Sequence, residues 1–283
     1  MQVLITGANG QLGQDIQKTC RQRSIEYIAV DSRALDITCG SEVRNFLKHN
    51  PVDCVINCAA YNAVDLAEVD WKKAFLVNGM GVRNLVIAAN AMGAVMVHFS
   101  SDYVFDGLAR EPYTIADDPD PINRYGMSKL LGETMVRVMA DRFILIRTSW
   151  VFGNGNDNFP KKILAWSAKK TELKVVTDQV SSPTYTVDLA KATLDLLSKD
   201  ARGIYHITNS QYCSRYEWAE YILAKTGWMG KLMRVSSDEF SSAARRPAFS
   251  VLDNLGSPEI LGYTLPDWKN ATNRFLQELG VIS

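Results

Sequence analysis

Short apolar runs alternate with amphipathic stretches through the first half of the chain. That is the pattern of strands buried on both faces and helices buried on one. It predicts strands at 3–6, 27–31, 54–57, 95–100 and 143–147. Helical spacing of apolar groups predicts helices at 41–48, 74–91 and 125–139, and Leu12, Ile16 and Cys20 mark another directly after the first strand. Strands alternating with helices indicate an α/β fold, a doubly wound parallel sheet of Rossmann type. Right-handed crossovers gather the strand C-terminal ends on one edge, where ligands bind. The turn after Thr6, the acid Asp31, the loop after Asn57 and the pair Ser100-Ser101 fall on that edge.

The second half is less regular, with a strand expected at 173–176, a helix at 187–197, a strand at 204–207 and a helix at 216–224. It reads as a smaller, interleaved α/β substrate lobe. We expect a dinucleotide-binding domain at 1–148, rejoined by about 173–200, and a substrate-binding lobe from 149–172 and 201–283. The longest apolar region, 85–99, is broken by Asn90 and Gly93, so it reads as a helix running into a strand and not as a membrane span.

Lys plus Arg equals Asp plus Glu at 31 each, which leaves no global basic field for nucleic acid or acidic lipid. The five cysteines are scattered, with no pair of CxxC motifs to build a zinc site. They read as reduced thiols of a cytoplasmic protein, and no signal peptide is expected ahead of the first strand.

Two strings carry candidate chemistry. Gly7-Ala8-Asn9-Gly10-Gln11-Leu12-Gly13 lies between a strand and a helix, where a pyrophosphate can sit on the helix N-terminus. Asp31 ends the second strand, placed to accept from adenosine ribose hydroxyls, whereas Arg33 could receive a 2′-phosphate; NADPH and NADH both stay open. Further cofactor contacts are expected from Ser32, Asp36 and Ile37, from Cys58, Ala59, Ala60 and Tyr61 after the third strand, and from Ser100. The second string, Tyr125-Gly126-Met127-Ser128-Lys129, puts a phenol and an ammonium one helical turn apart. Lys129 is expected to bias Tyr125 towards ionisation, and Ser101 offers a second hydroxyl beside a bound carbonyl.

These residues resemble the extended short-chain dehydrogenase/reductase superfamily. Further strings, Cys58-Ala59-Ala60-Tyr61-Asn62-Ala63-Val64-Asp65, Ser100 to Gly107, Arg147-Thr148-Ser149-Trp150, Ser182-Pro183-Thr184 and Arg246-Pro247, narrow the likeness to its dTDP-4-dehydrorhamnose reductase family, over nearly the whole chain. The resemblance implies NAD(P)H-dependent reduction of a dTDP-linked keto-deoxysugar. In it Tyr125 protonates the C4 oxygen, Lys129 binds the nicotinamide ribose, Ser101 and Asp102 orient the sugar, and Asn62, Val64, Tyr103, Trp150 and Arg246 contact it. Tyr103, where related dehydratases carry Glu, argues against water elimination.

Three positions depart from the family pattern: Asn62 for the usual Thr, Ser181 for a frequent Gly, and Arg215 for a frequent aromatic. Some family members dimerise around magnesium held by three glutamates; the matching positions are Asp15, Val187 and Glu278. Val187 cannot ligate, so no metal is expected and that dimer is not carried over; a homodimer through another surface stays open. The alternative function is a non-catalytic NADP-binding regulatory subunit resembling that of methionine adenosyltransferase.

Overall fold

Six parallel strands build the central sheet in a computed structural model that describes residues 1–282. The first half runs β1 (Gln2–Thr6), α1 (Gln11–Gln22), β2 (Glu26–Val30), α2 (Gly40–His49), β3 (Cys54–Asn57), the short α3 (Val64–Ala67) and α4 (Trp71–Phe75), α5 (Val82–Asn90), β4 (Val95–Ser101), α6 (Arg124–Met139) and β5 (Phe143–Thr148). The second half runs β6 (Val151–Phe152), α7 (Phe159–Ser167), β7 (Glu172–Val176), β8 (Val180–Ser181), β9 (Thr184–Tyr185), α8 (Thr186–Ser198), β10 (Gly203–His206), β11 (Cys213–Ser214), α9 (Arg215–Lys225), β12 (Lys231–Val235), α10 (Ser257–Leu261) and α11 (Trp268–Glu278).

The sheet order is β10-β5-β4-β3-β1-β2. Its inner strands are almost wholly buried because helices cover both faces. Ile16 of α1 and Leu189 of α8 pack on one side, while Val43, Leu85 and Val136 of α2, α5 and α6 pack on the other. Each fully buried side chain of this kind contributes about 1.5–3 kcal/mol. The chain winds outward from β1 to β2 and then returns to β3 on the other side of β1. The crevice at that reversal is where this fold class binds ligands.

The helix expected at 74–91 is one helical run with a defect. Between α4 and α5 lies a π-turn, Leu76–Gly81, in which Asn78 is buried. Asn78 accepts from Tyr61 N–H at 2.8 Å and donates to Tyr61 C=O at 3.0 Å and Ser128 Oγ at 2.9 Å. The wide turn thus ties the loop after β3 to α6, in keeping with the frequency of π-bulges at functional sites.

Two expected assignments change in the second half. Strand 173–176, placed with the segment 173–200 rejoining the nucleotide domain, pairs in parallel with β12 in a separate two-stranded sheet. Its alternating exposure is that of a strand covered on one face. Strand 204–207, placed in the substrate lobe, is β10 and completes the large sheet beside β5. Of the rejoining segment, α8 packs against α1. The small lobe has its own core around Phe152, Trp218, Trp268 and Phe275. Among the described residues no helix is long and apolar enough to cross a membrane.

Candidate active site

The C-terminal end of β4 and the start of α6 meet because Asn123 and Gly126 allow it. Asn123 caps α6, accepting from Gly126 N–H at 2.7 Å. A Cβ on Gly126 would stand 2.1 Å from the Tyr103 carbonyl oxygen, so only glycine lets the helix approach the turn after β4. Tyr125 is thereby set edge-on to Tyr103, ring centroids 5.7 Å apart at 80°. Its phenol donates to Asn62 Oδ1 at 3.5 Å, and Ser101 lies near enough to counter part of the rise in its pKa. One turn on, buried Lys129 donates from Nζ to the Phe99 carbonyl at 2.7 Å.

This geometry reverses one expectation. Burial pushes the Tyr125 phenol well above its ordinary value of 10, with Ser101 opposing and Asp102 and Tyr103 adding to the rise. Lys129 is not among the groups acting on it. Its long side chain carries the ammonium to the Phe99 carbonyl, and burial lowers its pKa to about 8 against the pull of Glu133 and Cys58. Tyr125 is therefore a firmly protonated acid, the form that can give a proton to a carbonyl oxygen.

Asp102 lies beneath this pair, 2% exposed. Its Oδ1 accepts from Ser101 Oγ at 3.0 Å, and its Oδ2 accepts from Ser250 Oγ at 2.5 Å and Ser181 Oγ at 3.3 Å. Burial raises its carboxyl to about 6 in spite of these bonds. Both of its oxygens are thus held by serines.

On the other side of the crevice, α1 begins at the glycine turn with no acidic residue in its first turn, which suits an anion. A Cβ on Gly13 would stand 2.4 Å from the Gly7 carbonyl oxygen, whereas one on Gly10 would meet only that oxygen, at 3.3 Å. Gly10, Gln11, Leu12, Gly13, Cys58, Ala59, Ala60 and Ser100 line one cavity of ≈ 1040 Å³ together with Ser101, Asp102, Tyr125 and Lys129. Asn62, Val64, Tyr103, Trp150 and Arg246 line it too. The buried hydroxyls of Ser100 and Thr148, also in its wall, have no protein partner. A cavity with a phosphate-sized turn at one end and orphaned hydroxyls along its floor fits a nicotinamide dinucleotide.

Other expected cofactor residues stand outside that cavity wall. Gly7 turns the chain at φ +65° directly behind Cys58 and Ala59. Asp31 accepts from Arg33 N–H, Ala34 N–H and Asn9 Nδ2, bonds that hold its carboxyl below the usual range and tie β2 to the glycine turn. Ser32 and Arg33 are exposed. Asp36 accepts from Thr38, and Ile37 is a core residue packed behind the site. Tyr61 is held through its backbone by Asn78.

The model of the RmlD substrate binding domain matches residues 1–281. The chain belongs to the RmlD family. It is 40% identical to the spore coat polysaccharide biosynthesis protein SpsK of Bacillus subtilis strain 168, over 98% of this chain and 97% of that protein. The solved dTDP-4-dehydrorhamnose reductase of Clostridium acetobutylicum is similar at a TM-score of 0.96 and 40% identity, covering 99% of this chain and 100% of that one. That of Bacillus anthracis, in complex with NADP, gives a TM-score of 0.94 at 36% identity, covering 98% and 99%.

Within this RmlD-family chain, all three departures from the family pattern stand at the site. Asn62 faces Tyr125, Ser181 bonds Asp102, and Arg215 lies over the Trp150 ring at 3.6 Å. Trp150 is both pocket wall and core: it lines the cavity, packs on the small-lobe core and has a left-handed φ of 42°, a strained conformation for a bulky side chain. Ser250 and Asn78 are residues around the site that motif reading missed, while Ser181 and Thr148 stood in or beside its strings without an assigned contact. At the three positions considered above for a metal, Asp15 has a raised pKa, chiefly from burial with Glu278 adding to it, and Val187 packs on apolar core. Among the described residues no group of three His, Cys, Asp or Glu could hold a metal ion.

Proposed function

We propose that this RmlD-family chain reduces the C4 keto group of dTDP-4-dehydro-6-deoxy-L-mannose to give dTDP-L-rhamnose, using NADPH or NADH, in the cytoplasm. The observation that carries the reading is that Tyr125, Ser101 and Lys129 line the same cavity as the glycine turn. The glycine turn and the first turn of α1 would hold the dinucleotide phosphates, and Ser100 and Thr148 offer hydrogen bonds to its inner end. When bound, the reduced nicotinamide supplies hydride.

The chain's own residues do the rest. Ser101, held beside Asp102, turns its one hydroxyl proton from that carboxylate to the carbonyl oxygen and orients it. Tyr125 delivers its proton to that oxygen as negative charge develops there. Lys129, its ammonium held at the Phe99 carbonyl, would bind the nicotinamide ribose and not the phenolate left behind. Tyr103 offers no carboxylate for elimination, which supports simple reduction. The complete set of Ser101, Tyr125 and Lys129 inside one cavity supports catalysis over the regulatory-subunit reading.

The test is oxidation of NADPH or NADH followed by absorbance with the dTDP-linked keto sugar present. Sustained oxidation that depends on the sugar supports the reading. Tight cofactor binding without oxidation would return the regulatory alternative.

A further inference from the structure

Besides Lys129, five cationic side chains line the cavity: Lys162, Lys170, Lys174, Arg215 and Arg246. Lys162 pairs with Asp157 at 3.5 Å, Lys174 with Glu239 at 2.9 Å and Arg246 with Asp65 at 2.6 Å, while Lys170 is exposed. Arg215 differs from all of these. It is half-buried, its guanidinium carbon stands 3.6 Å over the Trp150 ring and 4.8 Å over Phe159, and among the described residues no acceptor bonds its side-chain N–H groups.

Its position is built by the backbone. Strand β11 pairs antiparallel with β8, setting Cys213 opposite Ser181. Ser214 then caps α9 in a reciprocal box with Glu217, and Arg215 N–H donates to the Gln179 carbonyl at 3.1 Å. The platform under the guanidinium is equally fixed, since Trp150 stacks on Trp218 with centroids 5.9 Å apart and planes within 7°. Arg215 is thus held between rings with its donor edge unused. Withdrawing a cation from water without acceptors is costly, and the cost is offset when an acceptor-rich anion fills the place.

Two further facts say which anion. Cys213, two residues before Arg215, pairs with Ser181, and Ser181 bonds Asp102 at 3.3 Å, which places Arg215 beside the reacting end of the cavity. Arg246, in the same cavity wall, is already paired with Asp65 of α3, which leaves Arg215 as the guanidinium there with no carboxylate partner among the described residues. An unpaired guanidinium calls for negative charge, which neutral sugar hydroxyls do not supply. A guanidinium fork matches phosphate oxygens in pairs.

We propose that Arg215 clasps the diphosphate of the sugar nucleotide, setting the distance from the phosphates to the keto carbon. This rests on the nucleotide-sugar reading above and adds the residue that recognises its charged part.

Calorimetric titration of the NADPH-loaded chain with dTDP and with thymidine tests it, using wild type, Arg215→Gln and Arg215→Lys. Loss of hydrogen bonds to a charged group should weaken dTDP binding by about 10–100-fold in Arg215→Gln. Thymidine and NADPH affinities and the melting temperature should hold, and Arg215→Lys should recover part of the loss. In turnover, KM for the sugar nucleotide should rise while kcat stays within about threefold. Unchanged dTDP affinity in Arg215→Gln, an equal loss for thymidine, or a fall in kcat alone overturns the proposal. A fall in NADPH affinity also overturns it, by assigning Arg215 to the cofactor's phosphates. If the wild type prefers another base, and Arg215→Gln weakens that nucleoside diphosphate equally, the clasp stands and the thymidine reading fails. If it binds no nucleoside diphosphate, both fail.

Discussion

Asp102→Asn tests the electrostatics beneath the reacting hydroxyls. The Asp102 carboxyl is fully enclosed, and burial raises its pKa from 3.8 to about 6 against the serine hydrogen bonds and the Arg215 charge. At about 1.4 kcal/mol per pH unit, its ionised form costs the folded protein about 3 kcal/mol relative to the unfolded chain. Between about pH 4 and pH 6 the folded chain binds more protons at this site than the unfolded chain does. The contribution of Asp102 therefore lowers stability as pH rises through that window and is constant above it. Asn has the same outline, can accept from one serine and donate to another, and carries no charge. In urea unfolding across this range, the wild type should lose about 3 kcal/mol that Asp102→Asn does not lose. At neutral pH the variant should be the more stable protein, by less than that amount because one hydrogen bond to a charge becomes a neutral one. Its kcat should fall modestly, since Ser101 keeps a partner. Parallel pH profiles for the two proteins would refute the argument that burial controls this carboxyl.

Tyr125→Phe should keep NADPH affinity while kcat falls by about 100-fold or more, because only the proton donor is removed; stopped assays at saturating cofactor measure it. Gly10→Val should fold, since a Cβ there meets only the Gly7 carbonyl oxygen at 3.3 Å, yet its branches project towards the phosphate site and should weaken NADPH binding by fluorescence titration. Glu133→Gln should destabilise by about 3–5 kcal/mol in urea unfolding, leaving the buried Arg147 guanidinium without the carboxylate that it contacts at 2.8 Å from Nη2.

The large sheet was legible because its strands are buried on both faces, so Cys54–Asn57 and Val95–Ser101 read as apolar runs. β10 was not assigned to it, because a short Gly-Ile-Tyr-His run at a sheet edge looks the same locally as a strand of the small lobe. β7 carried its own signal in the alternation Glu172, Leu173, Lys174, Val175, which marks a half-exposed strand. In the site, the four-residue spacing of Tyr125 and Lys129 put both on one helical face, and both line the cavity, but spacing could not show where a flexible ammonium ends. Ser181 and Ser250 lie 79 and 148 residues from the Asp102 they bond, beyond the reach of any local motif. The π-turn was hidden because its apolar spacing resembles that of a plain helix, and its mark is the buried amide of Asn78.

The central claim is that hydride from the nicotinamide and a proton from Tyr125 are added across the C4 carbonyl of a dTDP-linked sugar. The direct measurement uses NADPH deuterated at the transferable position with dTDP-4-dehydro-6-deoxy-L-mannose, and reads the product by proton NMR. The account predicts one deuterium at C4 of dTDP-L-rhamnose, formed by the wild type and nearly abolished in Tyr125→Phe. A product without deuterium at C4, or equal turnover by Tyr125→Phe, would contradict it.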